Sequence, residues 1–413
     1  MESPRILFVA PSSYPIYGPE ANVNAKVIKM LTDSGCKVDL VCRSLRENIK
    51  FYPTSEDKYY FEGVQSINIV SVETKLNFAT FCRHLRTLLK TGYVYKGADW
   101  TYMAIKMCET LIAKNNYDFI YTYDYPSEIV GLYITKKYDL KWVATWNDPY
   151  MWVKYPAPYG KGVNAEIGYF RSKIISDIGK YVYRNVFPSD RLRDYMLRYM
   201  VGMNKETCVI SPHIILENLV VNNDKKIDNT LRLIHAGALG RERDPENLFK
   251  GFSLFLKKNP DAKIEFTFLG IFQRAKDDYF SNLVEKYNVN RYVKFCPPVP
   301  YKESLAFIQD YDVCMLIEAA CEEGIFLPSK VSDYMQNSKP IMALSPKIGV
   351  IHDMYLDGYI NYFANITDAN SIANSLEILY SDFMNCNIHI NNSGIDRYGS
   401  KNVYQRHKDQ IFR

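Results

Sequence analysis

Short apolar runs alternate with segments of helical periodicity along almost the whole chain, and this alternation limits the possible folds more than any other feature of the sequence. In the N-terminal half the runs are RILFVAP (5–11), KVDLVCR (37–43), INIVSV (67–72), DFIYTYDY (118–125) and KWVATWND (141–148). Near-continuous apolar runs that alternate with helices are typical of parallel strands covered on both faces by crossover helices. The N-terminal half is therefore predicted to be a doubly wound α/β domain.

The C-terminal half repeats the same alternation more regularly. Its predicted strands are LRLIHAGAL (231–239), IEFTFLG (264–270), VKFCPPV (293–299), DVCMLIEA (312–319), PIMALS (340–345) and YINYFA (359–364). A stretch rich in Asn, Asp and Lys at 217–230 precedes them and is predicted to be a linker.

A length of 413 residues suits two domains better than one core. We predict a Rossmann-like domain over 1–220 and a second one over 221–388, which face each other across a cleft. Ligands bind such sheets at the carboxyl ends of their strands. The segment 389–413 is predicted to contain a helix that packs back on the N-terminal domain, with a frayed terminus as the alternative.

Composition argues against several classes of protein. The formal net charge of +5 is too small to indicate nucleic-acid binding. The nine cysteines form no C-x-x-C pair and none combines with histidine as a zinc site requires, so reduced core cysteines are expected and no metal or cofactor is. The first apolar run is too short for a signal peptide, and no stretch reaches the roughly 18 apolar residues of a membrane span. We therefore expect a cytoplasmic protein.

Two positions that follow N-terminal strands are candidate ligand contacts. Gly18 lies just before a helix start, where free backbone N–H groups and the helix dipole favour a phosphate group. An ordinary strand-to-helix turn is the alternative. Asp148 follows the fifth run, close to Trp146 and Tyr150, where its carboxylate could orient an acceptor hydroxyl group or hold a sugar. A turn capped by Asp148 is the alternative.

Two stretches of the C-terminal half carry the charges expected at a phosphate site. GALGRERDPENLFKG places Arg241 and Arg243 in a loop that enters a helix, and guanidinium groups match diphosphate oxygens with paired hydrogen bonds. A solvated charge cluster is the alternative. In EAACEEGIFLPSKVSDYM, Lys330 can neutralise a phosphate, Asp333 can accept hydrogen bonds from both hydroxyls of a ribose, and a carboxylate before the turn can accept those of a sugar.

These motifs resemble those of the retaining glycosyltransferases of the GT-B fold, family 4 type (glycosyl transferases group 1). EGIFLPSKVSDYM is similar to the family's E-G-F-G-L-P-x-x-E and to its variant P-S-K-x-x-E-Y-M followed by G-K-P. The resemblance implies that Arg241 and Arg243 lie near the donor diphosphate. It also implies that Gly18 faces the donor phosphate and the acceptor, and that Asp148 lies on the acceptor side.

The resemblance also implies roles for the residues of the acidic motif. Asp333 stands where the family has its ribose-binding glutamate, and Ser329 and Lys330 match the P-S-K variant. Glu323 matches the glutamate that contacts the donor sugar. This chain departs from the pattern in having Asp at the second acidic position, and in separating the two acidic residues by ten positions where the family has eight.

The activity that the resemblance implies is transfer of a sugar from a nucleotide-sugar donor to a glycan or lipid-linked glycan, with retention at the anomeric carbon. A role in surface polysaccharide synthesis, of the O-antigen, capsule or lipopolysaccharide type, is expected, without an essential metal. Two alternatives stay open. One is a nucleotide-sugar epimerase or an inverting transferase on the same fold, and the other is a non-catalytic subunit that binds a nucleotide-sugar or a partner enzyme.

A basic amphipathic segment, FCRHLRTLLKTGYVYKG (81–97), places Arg83, Arg86 and Lys90 on one helical face among Leu and Phe. A helix of this kind can lie on anionic lipid. Peripheral contact with the inner face of the cell membrane is therefore one expectation, and a half-buried surface helix is the other.

Overall fold

The computed structural model describes residues 3–44, 55–71, 78–123, 125–216, 228–240, 242–273, 278–388 and 397–413. Internal contacts divide the chain into two units. The N-terminal unit comprises Met1–Lys154, Gly162–Ile214 and Ser400–Arg413, and the C-terminal unit comprises Tyr155–Lys161 and Ile215–Gly399. These bounds differ from a division at residue 220, because a short segment of the N-terminal half belongs to the C-terminal unit. Most of the predicted linker, 217–227, lies outside the described residues.

The N-terminal unit is built on a parallel sheet. Its strands are β1 (Arg5–Val9), β2 (Lys37–Arg43), β3 (Ser66–Val70), β4 (Phe119–Tyr123), β5 (Lys141–Thr145), β6 (Arg184–Phe187) and β7 (Cys208–Ile210). Its helices up to this point are α1 (Pro19–Asp33), α2 (Ser55–Phe61), α3 (Phe78–Thr91), α4 (Ala98–Ile112), α5 (Ser127–Tyr138), α6 (Tyr169–Tyr181) and α7 (Asp190–Leu197).

The strand order of this sheet is β3-β2-β1-β4-β5-β6-β7. Ile6 of β1 lies opposite Val38 of β2 on one side and Phe119 of β4 on the other, and both pairings are parallel. Strand β1 is almost wholly buried, as expected of a central strand with helices on both faces. The direction of strand addition reverses between β1 and β4, which is where doubly wound sheets bind ligands.

The C-terminal unit contains a second parallel sheet. Its strands are β8 (Leu231–Ala236), β9 (Leu239–Gly240), β10 (Ile264–Leu269), β11 (Phe272–Gln273), β12 (Val293–Cys296), β13 (Val313–Ile317), β14 (Ile341–Ser345) and β15 (Tyr362–Asn365). Its helices are α8 (Glu246–Lys258), α9 (Tyr279–Lys286), α10 (Tyr301–Gln309), α11 (Lys330–Gln336), α12 (Val350–Leu356) and α13 (Ala369–Met384).

The main sheet of this unit has the order β12-β10-β8-β13-β14-β15, and β9 pairs separately with β11. The predicted strand 231–239 is in fact interrupted, because Gly237 takes a φ of +139° and ends β8 at Ala236. Helices α8 and α13 cover one face, and they approach so closely that a Cβ atom at Gly251 would lie 2.7 Å from the carbonyl oxygen of Ala369.

A last helix, α14 (Ser400–Gln410), belongs to the N-terminal unit. His407 is buried there, with Nε2 2.9 Å from Ser211 Oγ and Nδ1 3.4 Å from the hydroxyl of Tyr121. Burial lowers the pKa of His407 to about 4, so the ring is neutral at pH 7. Helix α14 thereby packs on residues of the N-terminal unit that lie far from it in sequence.

The fold class predicted from the sequence is confirmed, since both units are doubly wound α/β structures with parallel sheets. The predicted amphipathic helix 81–97 is displaced: α3 runs from Phe78 to Thr91, because Gly92 adopts a φ of +76° that ends it. Across the described ranges, none of the helices combines the length and the apolar character needed to cross a membrane.

Candidate functional site

The loops that follow β8 and β13 carry the charges of the candidate donor site. The direction of strand addition in the main C-terminal sheet reverses between these two strands. Arg243 lies in the loop after β8, and its Nε atom is 3.7 Å from Oε1 of Glu318, the residue directly after β13. Glu318 is only 7% exposed, and burial raises its pKa while the charges of Arg243 and Lys330 oppose that rise. This point of reversal, the topological switch point of the sheet, thus has a buried carboxyl group beside two cations.

Lys330 begins α11, and its side chain runs against the backbone that follows β8. A Cβ atom at Gly237 would overlap Lys330 Cε, so any larger residue there would displace the end of the lysine side chain. The backbone that follows the neighbouring strand β10 also approaches Gly237 closely, since a Cβ atom at Gly270 would lie 2.5 Å from the carbonyl oxygen of Gly237. Gly237 therefore makes the groove in which Lys330 lies, and Gly270 allows the two backbones to approach each other.

The ammonium group of Lys330 has no ion-pair partner in the described part of the chain, where no carboxylate oxygen lies within 4.0 Å of it. Burial and then the charge of Arg243 lower the pKa of Lys330 to about 8, and the carboxylates of Glu318 and Asp333 act in the opposite direction. A half-buried cation without a paired carboxylate is incompletely solvated. An anionic ligand would supply the missing charge.

Asp333 lies in the first turn of α11, where Tyr301 holds it: the Tyr301 hydroxyl donates to Asp333 Oδ1 at 2.5 Å. Ser329 is the N-cap residue of the same helix, and its side chain makes no capping hydrogen bond. Its carbonyl oxygen instead accepts from the backbone N–H groups of Ser332 and Asp333. Lys330 and Asp333, both predicted from the motif, are thus brought together by one short helix.

Glu323 lies half-buried in the loop between β13 and α11, and its carbonyl oxygen accepts a hydrogen bond from Cys321 Sγ at 3.4 Å. The carboxylate beside Arg243 at the switch point is Glu318, five positions earlier in the chain. The role given to Glu323 stays a prediction. Arg241 lies outside the described residues, so its role also stays a prediction.

The loop that carries Glu323 is anchored on both sides. Gly324 pairs with Gly349 of the loop after β14, and a Cβ atom at Gly349 would lie 2.5 Å from the carbonyl oxygen of Gly324. Phe326 packs against Tyr155 and Tyr159, with 5.6 and 5.1 Å between ring centroids. The segment 155–161 is thereby part of the donor-site surroundings, which no local pattern in the sequence indicated.

In the N-terminal unit, Gly18 caps α1 with a φ of +93°, and its carbonyl oxygen accepts from the backbone N–H of Asn22 at 3.2 Å. That backbone conformation favours glycine. Among the described residues, no atom lies within 4 Å of the position that a Cβ atom would occupy. The residue therefore leaves open space at the carboxyl edge of the sheet, where α1 begins.

Asp148 is half-buried in the turn after β5. Beside it in sequence, Trp146 donates from Nε1 to Asn185 Oδ1 at 2.9 Å, and Tyr150 donates from its hydroxyl to Glu128 Oε1 at 3.0 Å. Glu128 is buried in the first turn of α5, and desolvation raises its pKa to about 8. A second buried carboxyl group thus lies at the carboxyl edge of the N-terminal sheet. The sequence offered one signal for it, an acidic residue in the first turn of a helix that directly follows a strand.

Metal ligands are not clustered in the parts of the chain that the structure describes, since no group of three or more His, Cys, Asp or Glu side chains there could hold an ion. The buried His235 lies near Lys330, but its Nδ1 atom lies 3.1 Å from the carbonyl oxygen of Met315, and burial keeps its pKa well below the usual range.

Comparison with known proteins finds a partial sequence match to a curated protein and a shared fold with solved structures. The chain matches no protein-family profile. One curated relative, the D-inositol 3-phosphate glycosyltransferase of Arthrobacter sp. (strain FB24), is 25% identical over 150 residues, which is 36% of this chain. The match spans about a third of that relative's length, 34%.

Solved structures match over almost the whole chain. Anabaena HepE in complex with UDP and glucose gives a TM-score of 0.67 at 12% identity, covering 99% of both chains. Sucrose-phosphate synthase from Thermosynechococcus elongatus gives a TM-score of 0.63 at 14% identity, covering 99% of this chain and 95% of the other. At this level of identity the likeness concerns the fold. The chain therefore has the GT-B fold of these glycosyltransferases, as its motifs had implied.

Proposed function

We propose that this protein is a glycosyltransferase that takes a sugar from a nucleoside diphosphate sugar bound by its C-terminal unit. The observation that carries the proposal is the Lys330 ammonium group, half-buried at the switch point without an ion-pair partner in the described residues and with a pKa lowered to about 8. A diphosphate supplies two neighbouring negative charges, which suits Lys330 and Arg243 together.

In this proposal each donor-site residue has a distinct task. Lys330 and Arg243 neutralise the charge that develops on the diphosphate as it leaves the sugar. Asp333, already fixed by Tyr301, accepts hydrogen bonds from the ribose hydroxyls. Ser329 lies at the start of the same helix, where the positive end of the helix dipole favours a phosphate group.

The known relatives support a nucleotide-sugar donor. HepE is described in complex with UDP and glucose, so UDP is the first nucleotide to test here. The family resemblance supports retention at the anomeric carbon and a role in surface polysaccharide synthesis. Because Lys330 and Arg243 already provide two positive charges, we propose that the reaction needs no divalent metal.

We propose that the acceptor glycan contacts the N-terminal unit at Gly18 and Asp148. The conformation of Gly18 leaves open space among the described residues in front of a helix start. Asp148 follows β5, which β4 separates from β1 in the sheet, and its carboxylate can accept from a hydroxyl group. All nine cysteines are free, which supports the reducing environment of the cytoplasm.

The test is a thermal-shift screen against UDP, GDP, CMP and their common sugar conjugates, followed by calorimetry. A ligand that binds only the folded protein raises its melting temperature. We expect one nucleotide to do so, and we expect the rise to be lost in Asp333→Ala and kept in Asp261→Ala, an exposed aspartate of the same unit. If no nucleotide raises the melting temperature at millimolar concentration, the donor-site proposal is wrong.

Product analysis separates the remaining alternatives. Transfer to an acceptor with retained anomeric configuration, read by NMR, supports the proposal. An inverted product identifies an inverting transferase, and a changed sugar without transfer identifies an epimerase. Tight binding without turnover identifies a non-catalytic subunit.

A further inference from the structure

Helix α3 turns its apolar face outward. Phe78, Phe81, Leu85 and Leu89 are 81%, 64%, 46% and 78% exposed. Spacings of three and four residues place these side chains on one face of a helix, in a row about 16 Å long. We name these four residues the α3 stripe.

The opposite face of α3 is polar and buried, which is the reverse of an ordinary surface helix. Thr80 and Thr87 are buried on that face, and Thr87 Oγ1 donates to the carbonyl oxygen of Ala98 at 2.8 Å. Lys90 Nζ forms an ion pair with Glu109 of α4 at 2.7 Å. These contacts bind the polar face of α3 to the N-terminal unit and fix the rotation of the helix. The apolar face is therefore exposed.

The size of the stripe limits what can cover it. At these exposed fractions, the four side chains present roughly 500 Å² of apolar surface. That is near the upper end for a patch on a monomer, and such patches often have a function. It is below the roughly 800 Å² per partner that a stable protein–protein interface buries. A second copy of the chain would therefore gain too little area from the stripe alone.

The charge of α3 indicates which kind of surface can cover the α3 stripe. Helix α3 contains two arginines, a lysine and a histidine but no acidic residue, and the exposed Arg86 lies beside the stripe. Arg83 and Lys90, predicted from the sequence to share this role, instead bond to Thr80 and Glu109. Exposed Phe and Leu side chains flanked by a cation match the boundary between acyl chains and anionic headgroups.

We propose that the α3 stripe docks the protein on an anionic lipid surface, with Phe78, Phe81, Leu85 and Leu89 inserted at the acyl boundary. The proposal goes beyond donor binding and does not depend on it, because the residues that carry it are all in α3. A lipid surface needs no defined partner shape, so a row one helix wide is sufficient.

The experiment is co-sedimentation of the full chain with vesicles of phosphatidylcholine alone, or of equal parts phosphatidylcholine and phosphatidylglycerol. We expect binding to the anionic vesicles that weakens as salt is added. The double variant Phe78→Ser with Leu89→Ser is expected to lower the partition coefficient on the order of a hundredfold. Leu356→Ser with Ile378→Ser, which removes two exposed apolar side chains elsewhere, is the matched control and is expected to bind as the wild type does.

Three outcomes would overturn the proposal. The first is that the wild type stays in the supernatant with anionic vesicles, and the second is that the stripe variant sediments as fully as the wild type. The third is that light scattering detects a dimer of the wild type which the stripe variant lacks, since the stripe would then be a protein interface. Thermal unfolding and UDP binding of each variant separate a lost surface from a lost fold or a failed donor site.

Discussion

Replacing Lys330 with methionine is expected to stabilise the fold and to abolish donor binding at the same time. Burial and Arg243 lower the pKa of Lys330 from 10.5 to about 8. Between these two pH values the unfolded chain holds the proton and the folded chain does not, so the stability of the wild type rises with pH in that window. Below pH 8 both states are charged, and the folded state bears the full cost of the buried ammonium group.

The size of this cost follows from the shift. A difference of one in the pKa between the folded and unfolded states corresponds to about 1.4 kcal/mol, so the fall from 10.5 to about 8 sets an upper limit of about 3 kcal/mol at pH 7. Because Lys330 is only half-buried, solvent reduces the gain to about 1–2 kcal/mol. Methionine is unbranched and can follow the same path past Gly237 without a charge.

Urea unfolding at pH 7 measures the stability, with Lys302→Met, an exposed lysine of the same unit, as the control. We expect a higher midpoint for Lys330→Met at an unchanged slope. Calorimetry with the nucleotide that binds the wild type should detect no binding to Lys330→Met. In the wild type the affinity should fall above about pH 8 as the ammonium group loses its proton.

Either of two results would refute this reasoning. If Lys330→Met unfolds at a lower urea concentration than the wild type, the ammonium group is stabilised by the protein itself and does not await an anion. If Lys330→Met keeps the wild-type affinity for the nucleotide, Lys330 does not contact the phosphates.

Three further changes test other parts of the site. Gly237→Ala should cost about 1–3 kcal/mol of stability, because alanine is strained at a φ of +139°, and it should weaken nucleotide binding, because the added methyl group displaces the end of the Lys330 side chain, whereas Gly162→Ala, with a φ of +82°, should keep binding. Wild-type stability should fall from pH 4.5 to about 8, because folded Glu128 keeps its proton while the unfolded chain loses it. Glu128→Gln should flatten that profile in urea unfolding, and a profile that stays steep would exclude Glu128 as its cause. Glu318→Gln should tighten UDP binding about threefold, since it removes a negative charge near the phosphates, and weaker binding in calorimetry would contradict this.

The two sheets could be predicted from the sequence because their strands are buried on both faces and therefore contain continuous apolar runs. Strand β13 (Val313–Ile317) lies within its predicted run. The error in the run 231–239 has a physical cause: the apolar pattern continues through Gly237, but the backbone turns there to make room for a side chain from α11. A contact between residues so far apart in sequence leaves no local pattern.

The candidate site was predicted in part. Lys330 and Asp333 belong to one motif and one helix, so their spacing in sequence determines their spacing in space. Glu318 was missed because it ends an apolar strand and reads as part of it, although a charged residue at the end of a buried strand is itself a signal. Tyr155 and Tyr159 could not be found, because their contact with Phe326 depends on the path of the whole chain.

The position of α14 has a consequence for the order of folding during synthesis. Every strand of the N-terminal sheet has been translated by residue 210, yet the helix that covers Tyr121 and Ser211 begins only at Ser400. The whole C-terminal sheet is translated in between. The first unit to emerge is therefore the last to be completed. Until α14 has been translated and has left the ribosome, the nascent N-terminal unit exposes the apolar surface that this helix later covers.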